Sequence, residues 1–130
     1  NNMIKVWTNG CFDILHRGHI EMFRYAKSLG DELVVGIDTD EKVGLDKGED
    51  RPINNLRDRM YMLQSIRYID KVIPFDSTQD LNNTIKWYKP DIMVIGSDWK
   101  GKDVIGQFWT EKLVFFDRVG NYSTTGILDK

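Results

Sequence analysis

The sequence predicts a three-layer α/β domain, a five-stranded parallel sheet with helices on both faces, and three observations carry that prediction. Apolar, β-branched runs alternate with segments of helical periodicity along most of the chain. The run Glu32 to Asp38 (ELVVGID) is apolar without strict alternation, as in a strand covered on both faces. A length of 130 residues suffices for one hydrophobic core and is too short for two. Strands and helices alternating at this spacing imply parallel pairing through right-handed crossovers.

Taken in order, Ile4 to Thr8 reads as the first strand. From Gly18, residues Ile20, Phe23, Ala26 and Leu29 recur at helical spacing, and Gly30 is placed to stop the helix. Glu32 to Asp38 is the second strand. Thr39 to Asn55 is polar and interrupted by Gly44, Gly48 and Pro52. It is expected to be one long irregular segment, mobile from Asp40 to Asn55 until ligands order it. Leu56 to Tyr68 returns to helical periodicity, and Lys71 to Phe75 is the third strand. Leu81 to Tyr88 is a helix ended by Pro90, and Asp91 to Gly96 the fourth strand. Val104 to Trp109 is expected to be a short helix, Leu113 to Phe116 the fifth strand, and Ser123 the cap of a final helical turn. No repeat or linker divides the chain, so residues 1–130 are expected to form one Rossmann-like domain. Asn1 and Asn2, before Met3, read as an expression remnant.

Composition excludes several classes. A formal net charge of −2 lacks the basic excess of a nucleic-acid surface, while leaving room for a few local cations around a small phosphorylated substrate. No apolar run approaches the length of a membrane span. The single cysteine, Cys11, cannot form an internal disulfide, so a reducing cytoplasm is the expected setting.

The most informative stretch is Gly10 to His19, GCFDILHRGH, which holds both histidines of the chain where the first strand turns into the first helix. Helix N–H groups and the macrodipole favour anions there. An isolated histidine is more often a half-buried packing or capping residue. The pairing of His16 with His19 around Gly18, at a helix start and behind GCFD, favours function. Zinc ligation is disfavoured, since the spacing is not a usual one and no cysteine completes a set. The dinucleotide fingerprint G-x-G-x-x-G is absent after the first strand, which argues against NAD or FAD. Two further motifs follow: Asp91 to Trp99 (DIMVIGSDW), at the end of the fourth strand, and Asn121 to Ile127 (NYSTTGI).

These three motifs, in this order and spacing, resemble the signatures of the HxGH nucleotidyltransferase superfamily. The resemblance covers nearly the whole chain. It implies transfer of a nucleotidyl group from a nucleoside triphosphate to a small phosphorylated acceptor, with release of pyrophosphate. Such catalysis is mainly positioning and electrostatic stabilisation. The resemblance assigns His16 and His19 as donors to the triphosphate, with Lys47, Arg59 and Arg118 as the catalytic cations. Other cations, Arg51 and Arg57, are nearby candidates. Thr8, Gly10, Cys11, Phe12, Asp13, Gly18, Gly96, Asp98, Trp99, Ser123, Thr124 and Thr125 are assigned to nucleotide binding. Gly18 would let the triphosphate lie close to the backbone. Asp13 either orients the turn or approaches a metal, the expected metal being Mg2+ held mainly by the triphosphate. Trp99 and Asp98 either contact the base and ribose or pack their own loop. A homodimer is implied by resemblance alone.

Two subfamilies compete. Chain length and Gly96-Ser97-Asp98-Trp99 behind the apolar Ile95 look like glycerol-3-phosphate cytidylyltransferase, which makes CTP and glycerol 3-phosphate the leading expectation. Lys47 to Asn54 (KGEDRPIN), Pro74-Phe75-Asp76 and Gly120 to Thr125 look more like the adenylyltransferase that activates heptose 1-phosphate, using ATP. Ile95 stands where the heptose enzymes usually carry lysine, and the sequence departs from its relatives at Val43 to Asp46, which replaces a usually more basic run before Lys47. A non-catalytic nucleotide-binding module is the reading from another class, disfavoured by the intact histidine pair.

Overall fold

A computed structural model of the chain describes residues 2–117. Five parallel strands form one sheet in the order β3-β2-β1-β4-β5, with β1 Lys5–Gly10, β2 Glu32–Asp38, β3 Lys71–Phe75, β4 Ile92–Gly96 and β5 Lys112–Phe116. The helices are α1 Arg17–Ser28, α2 Asp40–Lys47, α3 Leu56–Gln64 and α4 Thr78–Tyr88. The expected fold class is the observed one.

Alternation along the strands builds two cores. Val6, Leu33, Val35, Ile37 and Val94 face α1 and α3, meeting Phe23, Ala26 and Leu63. Trp7, Val34 and Met93 point the other way and meet Leu81, Ile85 and Tyr88 of α4. Opposite faces of one strand thus feed opposite layers, because successive side chains in a strand alternate. Gly30 earns its place through close approach: a Cβ there would lie 2.8 Å from the Ile4 carbonyl oxygen.

Strand β1 pairs with β2 over its whole length, from Lys5↔Glu32 to Gly10↔Ile37. Its ladder with β4 contains only Val6↔Ile92 and Trp7↔Met93. Thr8, Asn9 and Gly10 therefore have no β4 partner. The sheet opens between β1 and β4 at its C-terminal edge, where strand order reverses and α/β proteins bind ligands.

The structure corrects several sequence expectations. Thr39–Asn55 is not one irregular loop, since its first half is the helix α2. Thr39 caps it, accepting from the Lys42 N–H at 3.4 Å, and Lys42 pairs with Asp46 at 2.7 Å one turn on. Acidic Asp40 and Glu41 open it and Lys47 closes it, as the macrodipole favours. The helix predicted over 56–68 stops at Gln64, and α4 starts at Thr78, three residues before Leu81, because Ser77 caps it through the Asp80 N–H. The helix expected from Val104 reduces to a 3₁₀ turn over Gln107–Trp109. The expected Ser123 cap lies outside the described residues.

Candidate active site

The site is organised by the turn between β1 and α1. His16 is the N-cap of α1, and its Nδ1 accepts from the Gly18 N–H at 3.1 Å. His19, at the third helical position, reaches back so that its Nδ1 accepts from the His16 N–H at 3.2 Å. The two histidines thus form a reciprocal capping box, and their rings stack with centroids 3.8 Å apart and planes at 24°. An imidazole nitrogen that accepts carries no proton, so each neutral ring bears its N–H on Nε2. Burial, then His16 and the Lys47 charge, hold the His19 imidazole down at about 4, leaving it neutral at pH 7. The backbone has thereby fixed both orientation and tautomer.

Phe12 supports the pair from behind. Its ring is buried and meets His19 edge-on at 5.4 Å and Phe23 at 5.2 Å. Its backbone has φ of 51°, a left-handed conformation uncommon for a non-glycine residue and frequent near functional turns. Gly10 accommodates the ring: a Cβ there would lie 3.0 Å from Phe12 Cζ. The Phe12 side chain belongs to the core.

Asp13 was expected to orient the turn or approach a metal, and its carboxylate binds the 51–54 segment. One carboxylate oxygen accepts from the Asn54 N–H at 2.8 Å, the other from the Ile53 N–H at 2.8 Å and Arg51 Nε at 3.2 Å. Asn54 Nδ2 returns a bond to the Asp13 carbonyl at 2.8 Å. Burial alone would raise this carboxyl, but the two amides and the guanidinium outweigh it and hold it below its ordinary value. Asp13 thus anchors the 51–54 segment to the histidine turn. Both its oxygens are engaged, and among the described residues no group of three or more His, Cys, Asp or Glu could hold a metal ion.

Arg59, assigned by the resemblance as a catalytic cation, is buried. Nε donates to the Asn54 carbonyl at 2.9 Å, and one terminal nitrogen donates to the carbonyls of Cys11 at 2.9 Å and Asp38 at 2.8 Å. The other donates to Asp40 at 2.7 Å. Four segments (the histidine turn, the β2 end, the start of α2 and the 51–54 segment) therefore converge on one guanidinium. Its geometry is that of a positioning residue.

Lys47 is exposed in the last turn of α2. Its charge acts on His19, Cys11 and Asp38 together. Cys11 is half-buried, and burial pushes its thiol up, away from thiolate. Thr8 is buried with its hydroxyl 4.0 Å from Met22 Sδ. Across the opening, Asp98 folds over Gly96 so closely that a Cβ on Gly96 would lie 2.7 Å from its Oδ1. Trp99 is 43% exposed, with the Lys102 ammonium 5.8 Å from its ring centre. Arg118, Ser123, Thr124 and Thr125 lie outside the described residues. Sequence reasoning missed Asp38, Asp40 and Asn54 as site residues. The signal for Asp38 was a charged residue closing an otherwise apolar strand at the ligand-binding edge of the sheet.

Comparison with known proteins agrees with this geometry. A family model described as cytidylyltransferase-like matches residues 7–124. The chain is 46% identical over 125 residues to the bifunctional protein HldE of Campylobacter fetus, covering 96% of this chain and 27% of that protein. It is 40% identical over 125 residues to HldE of Helicobacter pylori, covering 96% and 27%. The chain thus spans about a quarter of the length of the curated relatives it matches. Among solved structures, a lipopolysaccharide core biosynthesis protein from Thermoplasma volcanium superposes with a TM-score of 0.78 at 31% identity, over 92% of this chain and all of that one. Among the described residues no helix is long and apolar enough to cross a membrane. The chain belongs to the cytidylyltransferase-like family of nucleotidyltransferases.

Proposed function

We propose that the chain transfers an adenylyl group from ATP to a sugar 1-phosphate of the heptose 1-phosphate type, releasing pyrophosphate. The observation that carries the transfer chemistry is the stacked imidazole pair, with both Nδ1 atoms held by backbone N–H groups and both protons placed on Nε2. An acceptor phosphate oxygen forms the new bond to the α-phosphorus while the bond to the bridging oxygen of pyrophosphate breaks. The acceptor is already an anion, so the step needs no base. It needs donors where charge gathers, fixed beforehand, and pre-oriented imidazoles supply them. His16 and His19 take this role, with Lys47 and, at the C-terminal motif, Arg118 adding positive charge. Gly18 keeps the approach to the helix N-terminus clear, and Ser123, Thr124 and Thr125 provide further phosphate contacts. Magnesium, in this reading, is carried on the triphosphate oxygens.

The nucleoside belongs in the opening between β1 and β4, beside Gly96, Asp98 and Trp99. The sugar-phosphate preference is supported by similarity to the HldE proteins and by the KGEDRPIN segment, which Asp13 and Arg59 fasten to the histidine turn. The second reading, CMP transfer to glycerol 3-phosphate, is favoured by the apolar Ile95 before the GSDW turn. Pyrophosphate release with ATP or CTP, each against heptose 1-phosphate and glycerol 3-phosphate, separates the two. Turnover with ATP and heptose 1-phosphate is the expected result. Turnover confined to CTP and glycerol 3-phosphate reverses the assignment, and no pyrophosphate from any pair leaves a binding module. The reading further expects a homodimer working in the cytoplasm, as the resemblance to the superfamily implies.

A further inference from the structure

The carboxylate that closes β2 has no part in the chemistry above, yet it stands at the same edge of the sheet. The Asp38 side chain is only 13% exposed. Among the described residues no donor hydrogen-bonds to its carboxylate. The nearest cation, Lys42 Nζ, is 3.9 Å away and lies much closer to Asp46, at 2.7 Å. The main chain of Asp38 is fixed from both sides: its carbonyl accepts from Arg59 at 2.8 Å, and its Cα is in register with Phe75 of β3. A largely desolvated carboxylate with no donor is expensive unless something supplies one. Burial accordingly pushes its carboxyl above the ordinary value, against the opposing pull of Lys42, Lys47 and Arg59.

Topology says what would supply the donor. The opening between β1 and β4 takes the nucleoside in the reading above, and the triphosphate runs to the histidine turn. The β2 side of β1 is left for the acceptor, and Lys47, in the last turn of the helix that follows β2, brings its charge to both His19 and Asp38. A phosphate beside Lys47 would hold the rest of its molecule near Asp38. We propose that Asp38 is a specificity-determining residue that reads the acceptor's hydroxyl groups, its carboxylate taking O–H donors from a sugar phosphate whose phosphate lies against Lys47. This inference rests on the sugar-phosphate reading and adds to it the group that recognises the sugar. Carboxylates accept hydroxyl hydrogen bonds strongly, and a site built around such a bond discriminates sharply against an acceptor lacking the hydroxyl.

The test compares the wild type with Asp38→Asn and Asp38→Ser, by pyrophosphate release with ATP and heptose 1-phosphate, and with analogues each lacking one hydroxyl. Asp38→Asn is expected to lower kcat/KM for heptose 1-phosphate by about 10- to 100-fold, mostly through the acceptor KM, with the nucleotide KM within about twofold. For one analogue the wild type is expected to suffer a comparable loss and the variant little more, the non-additivity of two groups in contact. Both variants should melt no lower than the wild type, because each removes a desolvated charge. Unchanged acceptor kinetics in Asp38→Asn, a parallel rise in the nucleotide KM, or equal losses on every analogue would overturn the proposal while leaving the sugar-phosphate reading intact. A wild type that ignores heptose 1-phosphate and uses glycerol 3-phosphate overturns both.

Discussion

Replacing Asp13 with Ala takes the acceptor away from three donors at once: the N–H groups of Ile53 and Asn54, each at 2.8 Å, and Arg51 Nε at 3.2 Å. A hydrogen bond to a charged group contributes about 1.5–3 kcal/mol net. The two amides belong at the lower end, because Ile53 and Asn54 are themselves exposed, and the Arg51 pair adds about 1 kcal/mol. The expected loss is about 3–4 kcal/mol, a large fraction of a typical domain's stability. Urea unfolding followed by tryptophan fluorescence measures it as a lower midpoint at unchanged slope. Hydrogen exchange at Ile53 and Asn54 should accelerate even where the rest of the molecule stays protected. Asp13→Asn keeps one acceptor oxygen and should lose about half as much at neutral pH. The acid limb gives an independent check. Because the native state holds this carboxyl below its ordinary 3.8, its contribution is fully present above that value and disappears as pH falls through the lower native value. Asp13→Asn should lack that component of acid sensitivity. A loss under about 1 kcal/mol, with exchange at Ile53 and Asn54 unaltered, would refute the reasoning.

Three further outcomes are expected. His16→Ala should lower turnover by about 10²-fold and stability by about 1 kcal/mol, since donor and N-cap disappear together; His16→Asn should restore the melting temperature and not the rate. His19 is neutral in the native state down to about 4 but ordinarily titrates at 6.5, so its contribution to stability is present above 6.5 and lost as pH falls from 6.5 towards 4. A His19→Gln variant should show a flatter stability profile over that interval in thermal melts, and an unchanged slope would contradict the burial described. Arg59→Lys should destabilise by about 3 kcal/mol or more and slow turnover, because a single ammonium cannot serve three carbonyls and Asp40; wild-type melting in this variant would remove Arg59 as the organiser of the site.

Sequence reading succeeded where the signal is local and periodic. The apolar runs gave all five strands, and GCFDILHRGH gave the position of the turn. It failed where a residue's role depends on partners far along the chain. Arg59 reads from the resemblance as a catalytic cation near a helix start, and only folding shows carbonyls from Cys11, Asp38 and Asn54 converging on it. Asp13 looked like a turn residue or metal ligand, while its partners lie about 40 residues away. Helix α2 escaped notice because Val43 is its one buried residue, Gly44 sits at its middle, and Leu45 is 87% exposed, so no apolar stripe marks it.

The short ladder between β1 and β4 has a bearing on base choice. Beyond Trp7↔Met93 the facing edges of the two strands are no longer in register as ladder partners, and they carry main-chain N–H and C=O groups. A base held in that opening meets atoms common to every amino acid. Adenine and cytosine present different donor and acceptor patterns, and a peptide edge can tell them apart by its spacing alone. Such discrimination would act beside that of the side chains around Ile95 and Gly96, and alanine scanning would pass over it. Shifting the β1–β4 register, or replacing single peptide bonds with esters, is the kind of change to which it would answer.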